Sequence, residues 1–427
     1  MHRKWDAYRI YLIYEGWASL VMSMIFTAGM VYQITVAGLS PLQLVLVGTT
    51  LEVTAFLCEI PTGVVADVYS RRLSVIVGVV LMGLGFLLEG FIPLFVTILL
   101  AQVIWGLGWT FTSGATQAWL SDEIGEAAAG RAFLRASQVG QAASLGGILA
   151  GALLGSLRVN LPIVLGGGLL VTLGLFLALK MPENGFTPAP AAERNSWRNF
   201  TATFQTGLKL VRGRPALLNL LAIGFFFGLY SEGFDRLWTK HLLDSFSFPA
   251  WADLQPVAWV GLMNAVGIVL SVGFTEIVRR RIDTQNPRQI ARFILWMTAG
   301  LILSMLGFAR APLFGAALLC FWAIYVIRGI VGPLYTAWMN QRLDSNVRAT
   351  VLSMSSQVDA IGQIAGGPAL GLVGSLVSIQ AAISAGSLLL SPALIFLRRA
   401  LNGGSTPADQ APAVQQAPAV EPAEPNP

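Results

Sequence analysis

Long apolar stretches, separated by short polar connections, run along most of the chain. Twelve of these stretches reach the roughly 20 residues that a helix needs to cross the hydrocarbon core of a bilayer. The predicted spans are 9–34, 42–66, 73–92, 94–120, 132–157, 159–180, 215–240, 256–278, 291–309, 312–338, 350–375 and 377–398. The pattern predicts an all-α integral membrane protein with twelve transmembrane helices.

Landmarks in the first six predicted spans recur in the last six. Trp119 ends the fourth span and Trp338 ends the tenth, and nineteen residues after each tryptophan a Ser-Gln-Val sequence contains Gln138 or Gln357. Paired glycines follow in both halves at nearly equal distances. This recurrence predicts two pseudo-symmetric six-helix bundles, an architecture in which transporters place the substrate path between the halves.

The spans and the polar segments divide the chain into four parts. The predicted parts are a six-helix bundle at 1–180, a linker at 181–214, a second six-helix bundle at 215–400 and a disordered Pro- and Ala-rich tail at 401–427. Within the linker, apolar residues recur at three- and four-residue steps from Trp197 to Val211. That spacing predicts a cytoplasmic amphipathic helix on the membrane surface.

Charge is scarce and unevenly placed. Charged residues make up 11% of the 427 positions, against roughly 25% in a soluble domain. With the N-terminus inside, 22 lysines and arginines fall on the inner side and 4 on the outer side, as the positive-inside rule requires. We therefore expect a multi-pass protein of the cell membrane, a bacterial inner membrane, with both termini cytoplasmic. The net charge of +5 then faces anionic lipid and needs no nucleic-acid partner.

Residues for enzymatic or cofactor chemistry are few. Two cysteines, Cys58 and Cys320, and two histidines, His2 and His241, form no metal-ligand spacing. The chain has no soluble catalytic domain and no nucleotide-binding loop of the Gly-x4-Gly-Lys type. The sequence therefore predicts neither an enzyme nor an ATP-driven pump, with no metal and no cofactor. We expect a monomer that handles a small molecule and protons within the bilayer.

The connection between the second and third spans carries a motif. Gly63 is followed by Asp67 four residues later and then by the basic pair Arg71 and Arg72. This sequence resembles the loop signature of the major facilitator superfamily, and with twelve spans in duplicated halves the resemblance covers essentially the whole chain. It implies the twelve-helix facilitator fold and a gating role for these residues, in which Arg71 and Arg72 can pair with Asp122 or the glutamate beside it. The same resemblance implies that Asp67 lies near the positive end of a helix in the other half.

The segment leading into this loop is similar to bacterial twelve-helix drug-efflux members of the superfamily. It reads Glu-Ile-Pro-Thr-Gly and ends at Gly63. Val68 and Ser70 replace the usual arginine and glycine of the loop, and Gln102 lies near the position where drug/proton antiporters carry an arginine. The fifth span also has no Gly-Pro element. Antiport and other modes of transport therefore both stay open.

Five ionisable residues are predicted at bilayer depth, where each costs at least about 2.5–3.5 kcal/mol and therefore suggests a function. Glu52 lies near the middle of the second span, Glu59 on the same face seven residues later, and Glu15 on the first span. Desolvation raises the pKa of a carboxyl group in general, so these three are candidates for proton coupling or substrate binding. Arg328 and Asp359 fall at similar depth, so we predict that they pair, either as a structural salt bridge or as a binding or coupling site.

Two further sets of side chains suggest where a solute would lie. Glu232, Asp235 and Arg236 form a cluster near the outer end of the seventh span, which predicts an outer vestibule or an ordered helix end. Eight aromatic residues lie on the first, fourth, seventh and tenth spans, the helices that line the cavity in the family. They are Tyr14, Trp17, Trp105, Trp109, Phe226, Tyr230, Trp322 and Tyr325. Aromatic rings beside buried acids suit a hydrophobic or cationic solute.

Three interpretations follow. The first is a proton-coupled exporter of hydrophobic or cationic small molecules that works by alternating access. The second keeps the fold but makes the protein a uniporter or importer of a metabolite, lipid or anionic solute, with Arg328 holding the anionic group. The third is a membrane sensor or assembly partner built on the same scaffold.

Overall fold

The described residues form a bundle of long helices. The computed structural model describes residues 6–188, 215–249, 254–283, 285–341, 343 and 345–402, and this part of the chain contains no β-strand. The helices are α1 (Ala7–Thr35), α2 (Pro41–Val68), α3 (Arg71–Phe91), α4 (Phe95–Thr112), α5 (Ala115–Ile124), α6 (Glu126–Leu157), α7 (Leu161–Lys180), α8 (Pro215–Ser245), α9 (Pro256–Arg281), α10 (Pro287–Arg310), α11 (Phe314–Gln341), α12 (Ser345–Leu376), α13 (Ile379–Leu390) and α14 (Pro392–Asn402).

Within the described residues, eleven helical segments are long and apolar enough to cross a membrane, counting α4 with α5 and α13 with α14. The predicted eleventh span corresponds to α12, which does not belong to this set. With 32 residues it is about 48 Å long, but it carries polar side chains such as Asp359 and Gln363. The predicted all-α membrane fold is confirmed, and α12 packs against α8 of its own half and α2 of the first half.

Local sequence signals explain where helices begin and break. Ser40 caps α2 in a reciprocal capping box with Gln43, which satisfies backbone donors that the first turn leaves free. The fourth span is interrupted at Gly114, whose φ of 73° lies in the left-handed region that favours glycine. The last span is interrupted before Pro392, which has no backbone N–H to continue the helix.

Glycines let one pair of helices in each half approach backbone to backbone. A Cβ at Gly147 of α6 would lie 2.1 Å from the carbonyl oxygen of Leu20 in α1. A Cβ at Gly366 of α12 would lie 1.9 Å from the carbonyl oxygen of Leu229 in α8. These are the paired glycines that the sequence repeat singles out, and they occupy equivalent places in the two halves.

Two faces of the bundle differ in charge. The arginine-rich face is the one where α1 begins and where α2, α9 and α11 end. It carries Arg71, Arg72, Arg279, Arg280 and Arg281. We call the other end, where α1 and α8 end, the opposite face.

The two halves meet toward the opposite face. The backbone N–H of Leu42 in α2 donates to Oγ of Ser375 in α12 at 2.9 Å. Ala28 of α1 belongs to one apolar cluster with Val257 and Val260 of α9. The structure therefore represents a state in which the halves are closed together at the opposite face.

Two predicted segments lie outside the described residues. Residues 181–188, the first part of the predicted linker, are described and are not helical. The predicted amphipathic helix falls within 189–214, and the predicted disordered tail falls almost wholly within 403–427. Both predictions therefore stay predictions.

Candidate functional site

A cavity of about 790 Å³ lies between the two halves of the molecule. Its first wall is formed by α1 and α6, and its second wall by α8, α9 and α11. The polar lining residues are Tyr11, Glu15, Ser19, Ser137, Gln141, Ser144, Asp235, Asn264, Ser271, Tyr325 and Arg328. Aromatic and aliphatic side chains such as Phe133, Trp238 and Phe321 complete the surface. The cavity is therefore amphipathic, with hydroxyl and amide groups beside flat apolar rings.

Glu15 supplies the charge on the first wall. It lies on one face of α1 with Tyr11 and Ser19, at four-residue steps. The Tyr11 hydroxyl lies close enough to the Glu15 carboxyl to interact with it. Within the described residues no lysine or arginine pairs with Glu15. A carboxyl group without a cationic partner therefore faces the cavity.

Arg328 supplies the charge on the second wall, but Asp235 neutralises it. Arg328 donates to both carboxylate oxygens of Asp235, with Nη2 to Oδ2 at 2.8 Å. Its guanidinium carbon lies 5.9 Å from the ring centroids of both Tyr230 and Phe234. The predicted pairing of Arg328 with Asp359 is wrong, because α8 presents an aspartate to Arg328 at shorter range than α12 does.

Asp359 lies in an adjoining cavity of about 710 Å³ between α8, α11 and α12. Its Oδ2 accepts a hydrogen bond from Nε2 of Gln363 at 2.8 Å, one turn along the same helix. Asp235 and Arg328 line both cavities. The ion pair thus lies between the two cavities. Asp359 faces the second cavity and forms no salt bridge with a lysine or arginine among the described residues.

The two predicted acids of α2 occupy different surroundings. Glu52 is half-buried and interacts electrostatically with Glu232, Arg236 and Asp359 of the other half. Glu59 is exposed and lines neither cavity. The structure therefore brings Glu52, but not Glu59, to the contact between the halves.

Most of the predicted cavity aromatics point elsewhere. Tyr325 lines the first cavity and Tyr230 the second. The other six line neither cavity; Trp105, for example, stacks on Phe86 inside the first half at 5.4 Å between ring centroids. The predicted cavity role of Tyr14, Trp17, Trp105, Trp109, Phe226 and Trp322 therefore stays a prediction. The sequence indicated some of the helices that line the cavities, but it could not indicate which side of each helix faces them.

The lining residues that this reasoning missed have a recognisable signal. On α6, Ser137, Gln141 and Ser144 recur at four- and three-residue steps. On α9, Asn264 and Ser271 are seven residues apart. Such polar stripes mark the side of a membrane helix that faces water or solute.

The predicted outer vestibule is a closed contact. Arg236 donates from Nε to Oε1 of Glu232 at 2.8 Å, and Glu232 is 4% exposed. Asp235, one residue away, faces the cavity instead. The cluster also lies near the middle of α8, because this helix continues to Ser245 rather than ending at residue 240.

A family model of the Major Facilitator Superfamily matches residues 16–367. The chain belongs to the Major Facilitator Superfamily. It is 24% identical over 347 residues to the uncharacterized MFS-type transporter YxaM of Bacillus subtilis (strain 168), a match that covers 80% of this chain and 82% of YxaM. The family and this relative are transporters, so the prediction of a transporter rather than an enzyme is confirmed.

Solved structures of facilitators share the fold. A mutant of the nucleoside transporter NupG has a TM-score of 0.75 at 15% identity, covering 93% of this chain and 99% of the other. A POT family transporter in complex with 5-aminolevulinic acid has a TM-score of 0.70 at 12% identity, covering 95% and 96%. A bacterial homolog of the human lysosomal transporter Spinster, inward-facing and occupied, has a TM-score of 0.67 at 12% identity, covering 92% and 94%. At these identities the likeness concerns the fold alone.

The facilitator loop motif is held within the first half. Arg71 forms an ion pair with Asp122 at the end of α5 and lies 3.9 Å from Asp67. Arg72 instead donates from Nη2 to the carbonyl oxygen of Ala178 at 2.6 Å. The pairing of Arg71 with Asp122 is thus present, whereas Arg72 pairs with neither predicted acid.

The other two motif residues lie open in this state. The Asp67 side chain is 60% exposed. A Cβ at Gly63 would meet no atom within 4 Å. No neighbouring helix therefore packs closely on Gly63 while the halves are closed at the opposite face.

The start of the linker ties this loop to α5, which the sequence did not predict. Both oxygens of Glu183 accept hydrogen bonds, from Oγ of Ser70 at 2.7 Å and from the backbone N–H of Arg72 at 2.9 Å. Glu123 accepts from the backbone N–H groups of Asn184 and Gly185. The segment after α7 thus fixes the first turn of α3 against the end of α5.

A buried carboxyl group also escaped the sequence analysis. Glu89 of α3 is 3% exposed. It accepts hydrogen bonds from Nε2 of Gln33 at 2.7 Å and from Nε2 of Gln102 at 3.0 Å. Glu89 lies two residues before the end of α3, and amide donors from α1 and α4 hold its side chain inside the first half.

Proposed function

We propose that the protein is a proton-coupled secondary transporter that exports cationic, amphipathic small molecules by alternating access. The observation that carries this proposal is the charge of the central cavity. Glu15 faces it without a cationic partner, while Arg328 is neutralised by Asp235. An excess of negative charge in a partly enclosed cavity favours a cationic solute.

The same charges argue against an anionic solute. Asp235 already occupies both terminal nitrogens of Arg328, so an anion would have to displace a charge-assisted pair that is worth about 1.5–3 kcal/mol per hydrogen bond. Aromatic rings such as Phe133 and Trp238 offer stacking and cation–π contacts to an organic cation. The ammonium group of the solute would face Glu15, and the apolar body of the solute would pack against these rings.

Glu52 is our candidate for the proton-binding group. It lies where the halves meet and faces three acids and one arginine of the second half. Taking up a proton there changes the charge balance between the halves, which is how a proton gradient can bias two conformations. Glu15 could exchange its own proton for the ammonium group of the solute.

Orientation and direction belong to the same proposal. We place the arginine-rich face in the cytoplasm, as the positive-inside rule requires. The state closed at the opposite face is then inward-facing, and the loop of Asp67 and Arg71 would close the inner side in the outward-facing state.

A second candidate is an importer of a polar metabolite. The hydroxyl and amide groups of Ser137, Gln141 and Asn264 favour it, because they could hydrogen-bond a neutral solute. NupG, a nucleoside transporter, and the POT family transporter that binds 5-aminolevulinic acid share the fold.

Transport by the purified protein in proteoliposomes with an imposed pH gradient tests these alternatives. Cationic, neutral and anionic amphiphiles of similar size are compared in the parent and in Glu15→Gln. We expect proton-driven flux of the cation, reduced in Glu15→Gln and retained in Glu126→Gln, a matched change at an exposed glutamate. Equal flux of all three solutes, or flux that ignores the gradient, would refute the proposal, and preferred uptake of a neutral solute would favour the second candidate.

A further inference from the structure

The ion pair of Glu232 and Arg236 in α8 lies directly against the backbone of α2 at Gly48. A Cβ built on Gly48 would lie 1.5 Å from Oε1 of Glu232 and 2.2 Å from Nε of Arg236. No side chain fits at position 48 while the pair keeps this place. Gly48 of one half therefore forms a socket for a charged pair of the other half.

We propose that this pair, seated on Gly48, is the latch that holds the halves closed at the opposite face, and that Glu52 controls the latch by binding and releasing a proton. The part played by the proton rests on the proposed function; the latch itself does not. No position of the facilitator loop motif takes part in it.

The latch stands at the junction of three helices. A Cβ at Gly367 of α12 would lie 3.1 Å from Cγ of Glu232 and 3.0 Å from Oγ1 of Thr49. Glu232 therefore touches both α2 and α12 where the halves meet. Because the socket has room only for backbone, the pair can dock on α2 without displacing a side chain.

Glu52 lies one turn from Gly48 on the same face of α2. The charged groups that face it from the neighbouring helices are Glu232, Asp235 and Arg236 of α8 and Asp359 of α12. Arg236 also interacts with Glu89 of α3. Asp235 is paired with Arg328 and Glu89 with two amide groups, so Glu52 is the acid beside the latch that has no hydrogen-bond donor among the described residues.

The charge balance gives the direction of control. Arg236 neutralises Glu232 in the closed latch. An ionised Glu52 would place a second carboxylate beside Glu232 and compete for Arg236, whereas a protonated Glu52 leaves the pair undisturbed. Proton binding should therefore favour closure of the opposite face, and proton release should favour its opening.

A cysteine reporter measures opening of the opposite face. The full chain has two cysteines, which are replaced by alanine, and Thr27→Cys adds one reporter. Thr27 is 2% exposed, and its Cγ2 would lie 3.2 Å from a Cβ at Gly261 of α9. In nanodiscs, a maleimide should reach this position only when the halves separate there.

Gly48→Ala should raise the labelling rate about tenfold, since the added methyl group displaces the latch and shifts the population of the open state. Gly168→Ala is the matched control, because a Cβ there meets no atom within 4 Å, and it should label at the parental rate. If folded Gly48→Ala were labelled at the parental rate, the proposal that the ion pair is a latch would be wrong. Proton-driven transport is measured separately in proteoliposomes, so the proposed function could still hold.

The pH dependence of labelling tests the role of Glu52 without any change at Gly48. Rates are normalised to a free cysteine peptide at the same pH, which removes the titration of the thiol. The parental rate should rise severalfold from acid to alkaline pH, because release of the Glu52 proton should open the opposite face. Glu52→Gln should keep the low rate throughout, and Glu126→Gln should behave as the parent. A Glu52→Gln protein that titrates like the parent would overturn proton control, whether or not Gly48→Ala folds.

Discussion

Removing Arg328 tests which carboxylate it is paired with. The structure gives it two hydrogen bonds to Asp235 and two aromatic rings at 5.9 Å. A hydrogen bond between charged groups contributes about 1.5–3 kcal/mol and an exposed cation–π contact about 0.5–1 kcal/mol. The two charged side chains are 32% and 42% exposed, so the cavity water screens them. We therefore expect Arg328→Ala to lower the free energy of unfolding by about 2 kcal/mol.

Double-mutant cycles separate the two possible partners. Coupling between Arg328 and Asp235 should be about 1–2 kcal/mol, whereas coupling between Arg328 and Asp359 should stay below about 0.5 kcal/mol. The difference is expected because Asp359 hydrogen-bonds to Gln363 instead. The measurement is the free energy of unfolding in mixed micelles, titrated with denaturant for the four members of each cycle. A coupling to Asp359 equal to or larger than that to Asp235 would refute the pairing and remove the argument that Arg328 is unavailable to an anion.

Three further substitutions test the packing and the polar contacts. Gly366→Ala should lower the melting temperature, since its methyl group would lie 1.9 Å from the carbonyl oxygen of Leu229 and overpacking costs about 1–3 kcal/mol. The control is Gly168→Ala, where nothing lies within 4 Å of the added methyl group. Equal melting temperatures for the two variants would contradict the close approach of α8 and α12. Glu89→Gln should destabilise the protein by about 1–2 kcal/mol, because one amide donor loses its acceptor; an unchanged melting temperature would mean that the buried network is not formed. Glu183→Ala should speed hydrogen exchange at the first turn of α3, measured by mass spectrometry, and unchanged protection there would rule out the contact with the linker.

The sequence determined the membrane spans well, but not where the helices end. Predicted spans 9–34 and 159–180 agree with α1 and α7 within a few residues. By contrast, α6 begins at Glu126, before the predicted residue 132, and α8 runs to Ser245. Apolar character reports where lipid surrounds a helix. The helix itself can continue into water wherever backbone hydrogen bonds and pairs such as Lys240 with Asp244 support it.

The position of each residue along its helix was likewise predictable, because each residue adds a fixed rise. Glu52, Arg328 and Asp359 were assigned to the interior in this way, and all three lie on helices that meet between the halves. What the sequence could not supply was the rotation of each helix about its axis and the identity of its neighbours. The sequence predicted Asp359 as the partner of Arg328, and only the packing of α8 against α11 showed that the partner is Asp235.

Packing in turn depends on close approaches between residues far apart in the chain. Gly48 is an ordinary helical glycine in the sequence, and only the arrival of Glu232 and Arg236 from the other half makes it a socket. The order of hydrophobic and polar residues thus determined the fold class and the helix on which each ionisable group lies. Tertiary structure decided which of these groups face a cavity, a partner or the contact between the halves. The reason is that the rotation of a helix about its axis is fixed only by the helices that pack against it.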